Sequence, residues 1–426
     1  MLDRTVAPPV QPLASVTLPA ADVFLLPNGA RLHVLRNNAQ PVVRLQVVVK
    51  AGKWAEPASG ISLLTARMLL EGTRNRTARQ IADEVAFYGA SLECEQGFDR
   101  ATLTLYCLTR HLASLLPLVM DVLTEPTFPE AELSQLKTRT IQNVRVERQK
   151  TSYLAAEQFS ADVFGAHHPY GQKFNEETFQ QITSLQLQNF HQLAYQLSSA
   201  ELFLCGDINV ADEELLQKFF GAVPPLTLPA LEVDTPSLVP AVRTTYVPVD
   251  GSLQASLRIG RLWPPLTDEH AHHLQVLVKV LGGYFGSRLM KNIREDKGLT
   301  YGIYASIGPR EHATSFVIGS DVNGASAEAA IQEIHHELYR LQQELIPEAE
   351  LRTVKNYMAG KFANELSTVF EQCDKYKNLL FLNLTPTYYT DFLTNIQHVD
   401  AETLRRLAQQ YLTPTVMTQV IAGPAN

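Results

Sequence analysis

The chain has 426 residues, enough for two or three domains, and 45% of them are hydrophobic, enough to fill ordinary cores. Its formal charge of −8 runs against the clustered Lys and Arg that phosphate backbones demand, so nucleic acid is not expected as a partner. No apolar run approaches the roughly 18 residues of a membrane-spanning helix, and the N-terminal segment lacks a basic start followed by an apolar stretch, so neither a membrane span nor a secretory signal is expected.

In chain order, ARLHVLR (30–36) and VRLQVVVK (43–50) read as strands. Helical segments follow near 60–71 and 77–88. ASLECEQ (90–96) and RATLTLYCL (100–108) are the next strands, the second alternating cleanly. Three helical stretches lead to a final apolar strand, ELFLCG, ending at Gly206. Residues 222–240 carry Pro224, Pro225, Pro229, Pro236 and Pro240, which forbid a helix and suit an extended linker. In the second half, Ile331, Ile334, Leu338, Leu341 and Leu345 form one helical stripe. Another strand, MTQVIAG, ends at Gly423.

The two halves repeat one another. FPEAELSQLK and IPEAELRTVK share Pro-Glu-Ala-Glu-Leu, at 129–133 and 347–351, and Lys137 and Lys355 keep the same offset of 218. An amphipathic helix precedes each match and a long helical pattern follows it. Further on, QQITSLQLQNFHQLAYQL parallels QHVDAETLRRLAQQYL, and each leads to the apolar strand that ends its half. The expected fold is therefore α+β: two homologous domains, each an antiparallel sheet with helices packed on one face. The expected boundaries are 1–221 for the first domain, 222–240 for the linker and 241–426 for the second domain.

The four cysteines, Cys94, Cys107, Cys205 and Cys373, form no C-x-x-C pair and read as reduced core thiols, which fits a cytoplasmic protein. His167-His168-Pro169-Tyr170 reads as a structural loop, because adjacent histidines do not easily bind one metal and His-Pro favours a turn. Gly282-Gly283-Tyr284-Phe285-Gly286 lacks the Lys and Ser/Thr of a phosphate loop and reads as a tight turn before a helix, Ser287 to Asp296. Gly298 suits that helix's C-terminal turn, and TYGIYASI follows as a strand.

Residues 60–73, GISLLTARMLLEGT, resemble the metal-site helix of insulinase/pitrilysin-like zinc peptidases, the family of the mitochondrial processing peptidase. The family pattern is G-x-x-H-x-x-E-H-M-L-x-x-G-T, and Gly60, Met68, Leu69, Gly72 and Thr73 match it in register. VLGGYFGSRLMKNIREDKGLTYGIYAS, from Val280, resembles the second-domain signature of the same family, and HPYG at 168–171 sits where its first domain has a similar loop. With the duplication, the likeness covers nearly the whole chain.

The departures decide the expected chemistry. Histidines four apart share one face of a helix and can hold one Zn²⁺, with the glutamate between them as general base. Here those positions carry Leu63, Ala66 and Arg67. The family's third ligand, a glutamate further along, falls near Val144, and the nearest carboxylate is Glu147. No two of the twelve histidines stand four apart. No metal is therefore expected in this chain.

The second-domain signature keeps Arg294 and Tyr301. The resemblance implies that Arg294 holds a peptide carbonyl or carboxylate and that Tyr301 donates its hydroxyl to the oxyanion of a tetrahedral intermediate. From the residues alone, a structural role stands beside this: Arg294 paired with neighbouring acids such as Glu295, and Tyr301 packed at a strand end. Some family members are heterodimers in which one subunit carries the metal and the other supplies the Arg/Tyr pair. The chain resembles the metal-free subunit. That implies a zinc-bearing homologous partner, a peptide substrate, zinc in the partner's site, no hydrolysis by this chain alone, and a homodimer as the plausible form when it is isolated. The alternative is an inactive peptidase-like binding or scaffold protein, and a third reading is a solitary enzyme with an unrecognised site.

Overall fold

The computed structural model describes residues 18–224 and 237–424. Most of the expected linker, residues 225–236, lies outside the described residues. The first half forms a six-stranded sheet from β1 (Asp22–Leu25), β2 (Arg31–Arg36), β3 (Val42–Val49), β4 (Ser91–Gln96), β5 (Ala101–Leu108) and β6 (Glu201–Gly206), in the order β1-β2-β6-β3-β5-β4. The second half forms a five-stranded sheet from β7 (Thr244–Pro248), β8 (Gln254–Trp263), β9 (Thr300–Pro309), β10 (Thr314–Asn323) and β11 (Thr418–Gly423), in the order β7-β11-β8-β10-β9. With β1 set aside, the two orders are the same. Each sheet is antiparallel except at one pair, β2 with β6 and β7 with β11, which run parallel. The last strand of each half enters the sheet by a long helical crossover, the connection a parallel pair requires.

The repeated lysines show why the duplication kept them. The Lys137 ammonium donates to the carbonyls of Gln180 (2.9 Å) and Ile182 (2.8 Å). The Lys355 ammonium donates to the carbonyls of Gln397 (2.8 Å) and Val399 (2.6 Å). Each lysine reaches from helix Glu130–Glu147 or Glu348–Asn364 to carbonyls that leave a helix end, satisfying groups with no intrahelical partner.

Each domain's own helices cover one face of its sheet. In the first, Leu45, Val47, Leu202 and Leu204 point into a core shared with helices Ile61–Met68 and Leu112–Thr124. In the second, Leu257, Ile259 and Ile421 face helices Ala271–Gly282, Ala327–Gln343 and Ala401–Tyr411. The opposite faces are closed by exchange. Helix Thr151–Phe164, from the first half, lies on β8 and β11 of the second sheet. Its Ala155, Phe159 and Val163 pack on Val420 and Ala422. Helix Val369–Phe381, from the second half, lies on β2 and β6 of the first sheet, where Val369 and Cys373 pack on Leu35, Val48, Phe203 and Cys205. The two exchanged helices begin 218 residues apart, the offset of the sequence repeat. Strands buried on both faces favour apolar residues at successive positions, which is why Leu202–Cys205 of β6 and Val420–Ala422 of β11 are apolar runs that do not alternate.

Polar pairs fix the exchanged helices in register. Arg44 on β3 is 4% exposed and makes a forked pair with Asp374 (2.9 and 3.1 Å), and it also donates to the Phe370 carbonyl (2.9 Å). His33 bridges the Tyr376 hydroxyl (2.9 Å) and Glu201 (2.8 Å). On the other side, the Thr151 and Ser256 hydroxyls bond at 2.8 Å, and the buried Asp162 accepts from Arg243 (2.5 Å) and Thr245 (2.7 Å).

Candidate functional site

The metal-motif helix is intact as a structural element. It begins at Gly60, whose φ of 101° suits glycine, and a Cβ there would stand 2.3 Å from the Phe179 ring. The Glu56 carboxylate accepts from the backbone N–H groups of Gly60 (3.0 Å) and Ser62 (3.1 Å) and from the Ser62 hydroxyl (2.6 Å), so a carboxylate caps the helix from outside it. Burial pushes the Glu56 carboxyl above its ordinary value, against those donors.

The positions where ligands would stand cannot hold a metal. Leu63 packs against the first core, Ala66 is fully buried in it, and Arg67 is exposed. Helix Glu130–Glu147 does lie against helix Ile61–Met68, but the residue it carries at the ligand position is a half-buried Val144. Glu147, one turn on, pairs with Lys150 at 2.5 Å. Two alkyl chains, a methyl group and a guanidinium supply no donor to Zn²⁺, which takes thiolate, imidazole or carboxylate. Among the described residues no group of three or more His, Cys, Asp or Glu is arranged to hold a metal ion.

Arg294 and Tyr301 stand on two irregular elements that follow one another. The expected helix Ser287–Asp296 widens into a π-helix over Met290–Asp296, a form that appears mostly as short insertions at functional sites. It is anchored from behind. Asn292 donates to Glu333 (3.1 Å) and Glu337 (2.8 Å), Lys297 pairs with Glu333 (2.7 Å), and Arg288 makes a forked pair with Glu350 (2.9 and 3.0 Å). Gly298 then turns the chain at φ 63°. Within this frame Arg294 makes no ion pair among the described residues, and its guanidinium lies 4.5 Å from the centre of the exposed Phe285 ring. Glu295, the expected structural partner, does not pair with it.

Tyr301 opens β9, an edge strand. Pairing with β10 runs regularly to Ile303 opposite Ser320, then slips, so that Thr300 faces Val322. Tyr301 and Gly302 together face Asp321, which is a β-bulge, a device that re-aims a side chain. The Thr300 hydroxyl donates to the Asp321 carbonyl (2.7 Å) and accepts from the Gly302 N–H (3.1 Å), satisfying groups the bulge frees. The result is a Tyr301 side chain 97% exposed, with no packing partner among the described residues.

The glycine-rich segment is a turn, as its composition suggests. Gly282 is needed for contact, because a Cβ there would stand 2.7 Å from the Ala305 backbone nitrogen. The HPYG loop is structural. The His168 ring accepts from the Tyr170 N–H (3.1 Å), and Tyr170, buried, donates to Asp99 and accepts from the His312 N–H (3.2 Å). The sequence reading did not anticipate the junction this builds between the halves. Arg310 lies over the rings of Phe98 (3.8 Å), Tyr170 (4.6 Å) and Phe164 (5.0 Å), and Trp54 stacks on His312 at 3.8 Å. No spacing in the sequence signals these pairs, since their members are far apart along the chain.

The family model described as "Insulinase (Peptidase family M16)" matches residues 32–173, and that described as "Peptidase M16 inactive domain" matches residues 181–358. The chain belongs to the insulinase (peptidase M16) family. It is similar to a protein described as the uncharacterized zinc protease YmxG of Bacillus subtilis, 25% identical over 94% of this chain and 97% of that one. A Pseudomonas fluorescens structure described as a peptidase M16 inactive domain superposes with a TM-score of 0.86 at 25% identity, covering 95% of this chain and 98% of that one. A Helicobacter pylori protease structure shares the fold, with a TM-score of 0.87 at 22% identity over 96% and 100% of the two chains. No helix among the described residues is long and apolar enough to cross a membrane.

Proposed function

We propose that this chain is the non-catalytic, substrate-binding subunit of a heterodimeric zinc metallopeptidase, and that it contributes Arg294 and Tyr301 to a partner's active site. The observation that carries the reading is the contrast between the two signatures. Leu63, Ala66, Arg67 and Val144 leave no metal donor, while a bulge and a π-turn hold Tyr301 and Arg294 without ion-pair or hydroxyl partners among the described residues. A side chain serving only stability is normally packed or paired. In this role the Arg294 fork holds a carbonyl or carboxylate of the peptide, and the Tyr301 hydroxyl donates to the oxyanion as it develops. Zinc belongs to the partner chain, and this chain alone does not hydrolyse.

The test is cleavage by this chain, by a zinc-bearing relative from the same organism, and by their mixture. Peptide cleavage in the mixture alone, with zinc bound only to the relative, supports the reading. A mixture that assembles but does not cleave favours the inactive binding or scaffold protein.

A further inference from the structure

The second domain contains a cavity of about 440 Å³ far in sequence from the metal-motif helix. Its walls come from helix Ala271–Gly282, from Tyr304 to Ile307 of β9, from helices Glu348–Asn364 and Tyr388–His398, and from Lys375 of the exchanged helix Val369–Phe381. The duplication gives it a meaning. β3 and β8 start 212 residues apart, and at that offset Gln275 and Lys279 take the places of Leu63 and Arg67. At the repeat offset of 218, Phe362 takes the place of Val144. All three line the cavity.

Its charges do not balance. Lys279, Lys361 and Lys375 reach it, and the carboxylate among its lining residues is Glu365. Glu365 is already engaged by Lys375 (2.6 Å) and, more distantly, by Lys361 (3.7 Å). Lys279 makes no ion pair among the described residues. It donates to the Gly283 carbonyl at 3.2 Å and lies 6.0 Å from the Tyr357 ring. Burial and the neighbouring Lys361 lower its pKa, the mark of an ammonium short of counter-charge. Gln275 and Ser306 add polar groups to the lining, and Val278, Ile307, Met358 and Phe392 form apolar walls beside Phe362 and Tyr389, which stack at 5.5 Å. A concave site of this size that combines apolar and aromatic walls with convergent polar groups is a usual form of small-molecule site.

We propose that this cavity binds a small organic anion, a monocarboxylate with a compact aromatic or apolar body, its carboxylate on Lys279 and Lys361 and its body against Phe362 and Tyr389. The site does not depend on the peptidase reading, since none of its residues belongs to the Arg294/Tyr301 pair.

The test is calorimetric titration of the full chain with 4-phenylbutyrate and, separately, with its uncharged amide. The carboxylate is expected to bind at least about tenfold more tightly than the amide, a difference of about 1.4 kcal/mol. Lys279→Met, which keeps the length of the side chain, should weaken carboxylate binding by a similar factor and leave amide binding unchanged. Should that variant fail to fold, Lys361→Met at a more exposed position gives the same readout. Equal binding of acid and amide, no binding of the acid up to about 10 mM, or binding indifferent to both lysines would each overturn the proposal. So would binding of inorganic phosphate with lysine dependence when phenylbutyrate does not bind, because it would remove the apolar half of the site.

Discussion

Replacing Phe159 with Ala tests the helix exchange directly. Phe159 belongs to the first half in sequence, yet it is 6% exposed against the second sheet, with its ring 2.9 Å from where a Cβ on Gly260 would stand. Burying an aromatic side chain removes roughly 150 Å² of apolar surface from water, about 4 kcal/mol at ~25 cal/mol per Å². Gly260 and its neighbours on β8 cannot collapse into the space without breaking pairing to β10, so the cavity persists. The expected loss is about 3–5 kcal/mol, the usual range for Phe→Ala in a core. Urea unfolding measures the total, and native-state hydrogen exchange locates it. Protection should fall first in β8 and β11, the nearer of which begins 95 residues beyond the substitution in sequence. A loss confined to β2, β3 and β6, or a total below about 1 kcal/mol, would refute the exchanged packing.

Three further outcomes are expected. In the assembled pair, Tyr301→Phe should lower kcat by about 10² or more while the partner still co-purifies, the scale seen when one oxyanion donor is removed; unchanged cleavage in both Tyr301→Phe and Arg294→Ala would sink the donation in trans. Lys137→Met should cost about 2–3 kcal/mol by leaving two carbonyls without their donor, and Lys355→Met at the more exposed copy should cost less, both read from denaturant midpoints. Burial lowers the His191 pKa to about 4, against the bond its ring makes to the Leu123 carbonyl. The unfolded chain, with an ordinary His pKa near 6.5, therefore binds the proton first as pH falls, so stability drops between about pH 6.5 and 4 and this contribution is flat below that. His191→Gln should flatten that slope by about 2–3 kcal/mol across the window, and a slope identical in both proteins would contradict it.

Much was legible in the sequence because local patterns carry it. The duplication shows in Pro-Glu-Ala-Glu-Leu and its lysine, whose bonds recur in both halves because each copy solves the same local problem. The alternation of β5 and the turn at Gly298 follow from side-chain chemistry within a few residues. The loss of metal donors at Leu63, Ala66 and Arg67 is a matter of residue identity, which no folding can alter.

What only the tertiary structure decided is where separate segments meet. A long helix after each repeat is visible in the sequence, but whether it covers its own sheet or its neighbour's depends on two apolar faces far apart along the chain, and nothing in a helix's periodicity names its partner. The same holds for Arg44 with Asp374, for the rings around Arg310, and for Lys375, which reaches Glu365 from the exchanged helix. The exposure of Tyr301 is likewise a product of strand register. Its aromatic side chain suits a packed strand, and one extra residue opposite Asp321 turns it out to solvent. Residue identity set which chemistry this chain can perform, and long-range packing set which groups are brought together to perform it.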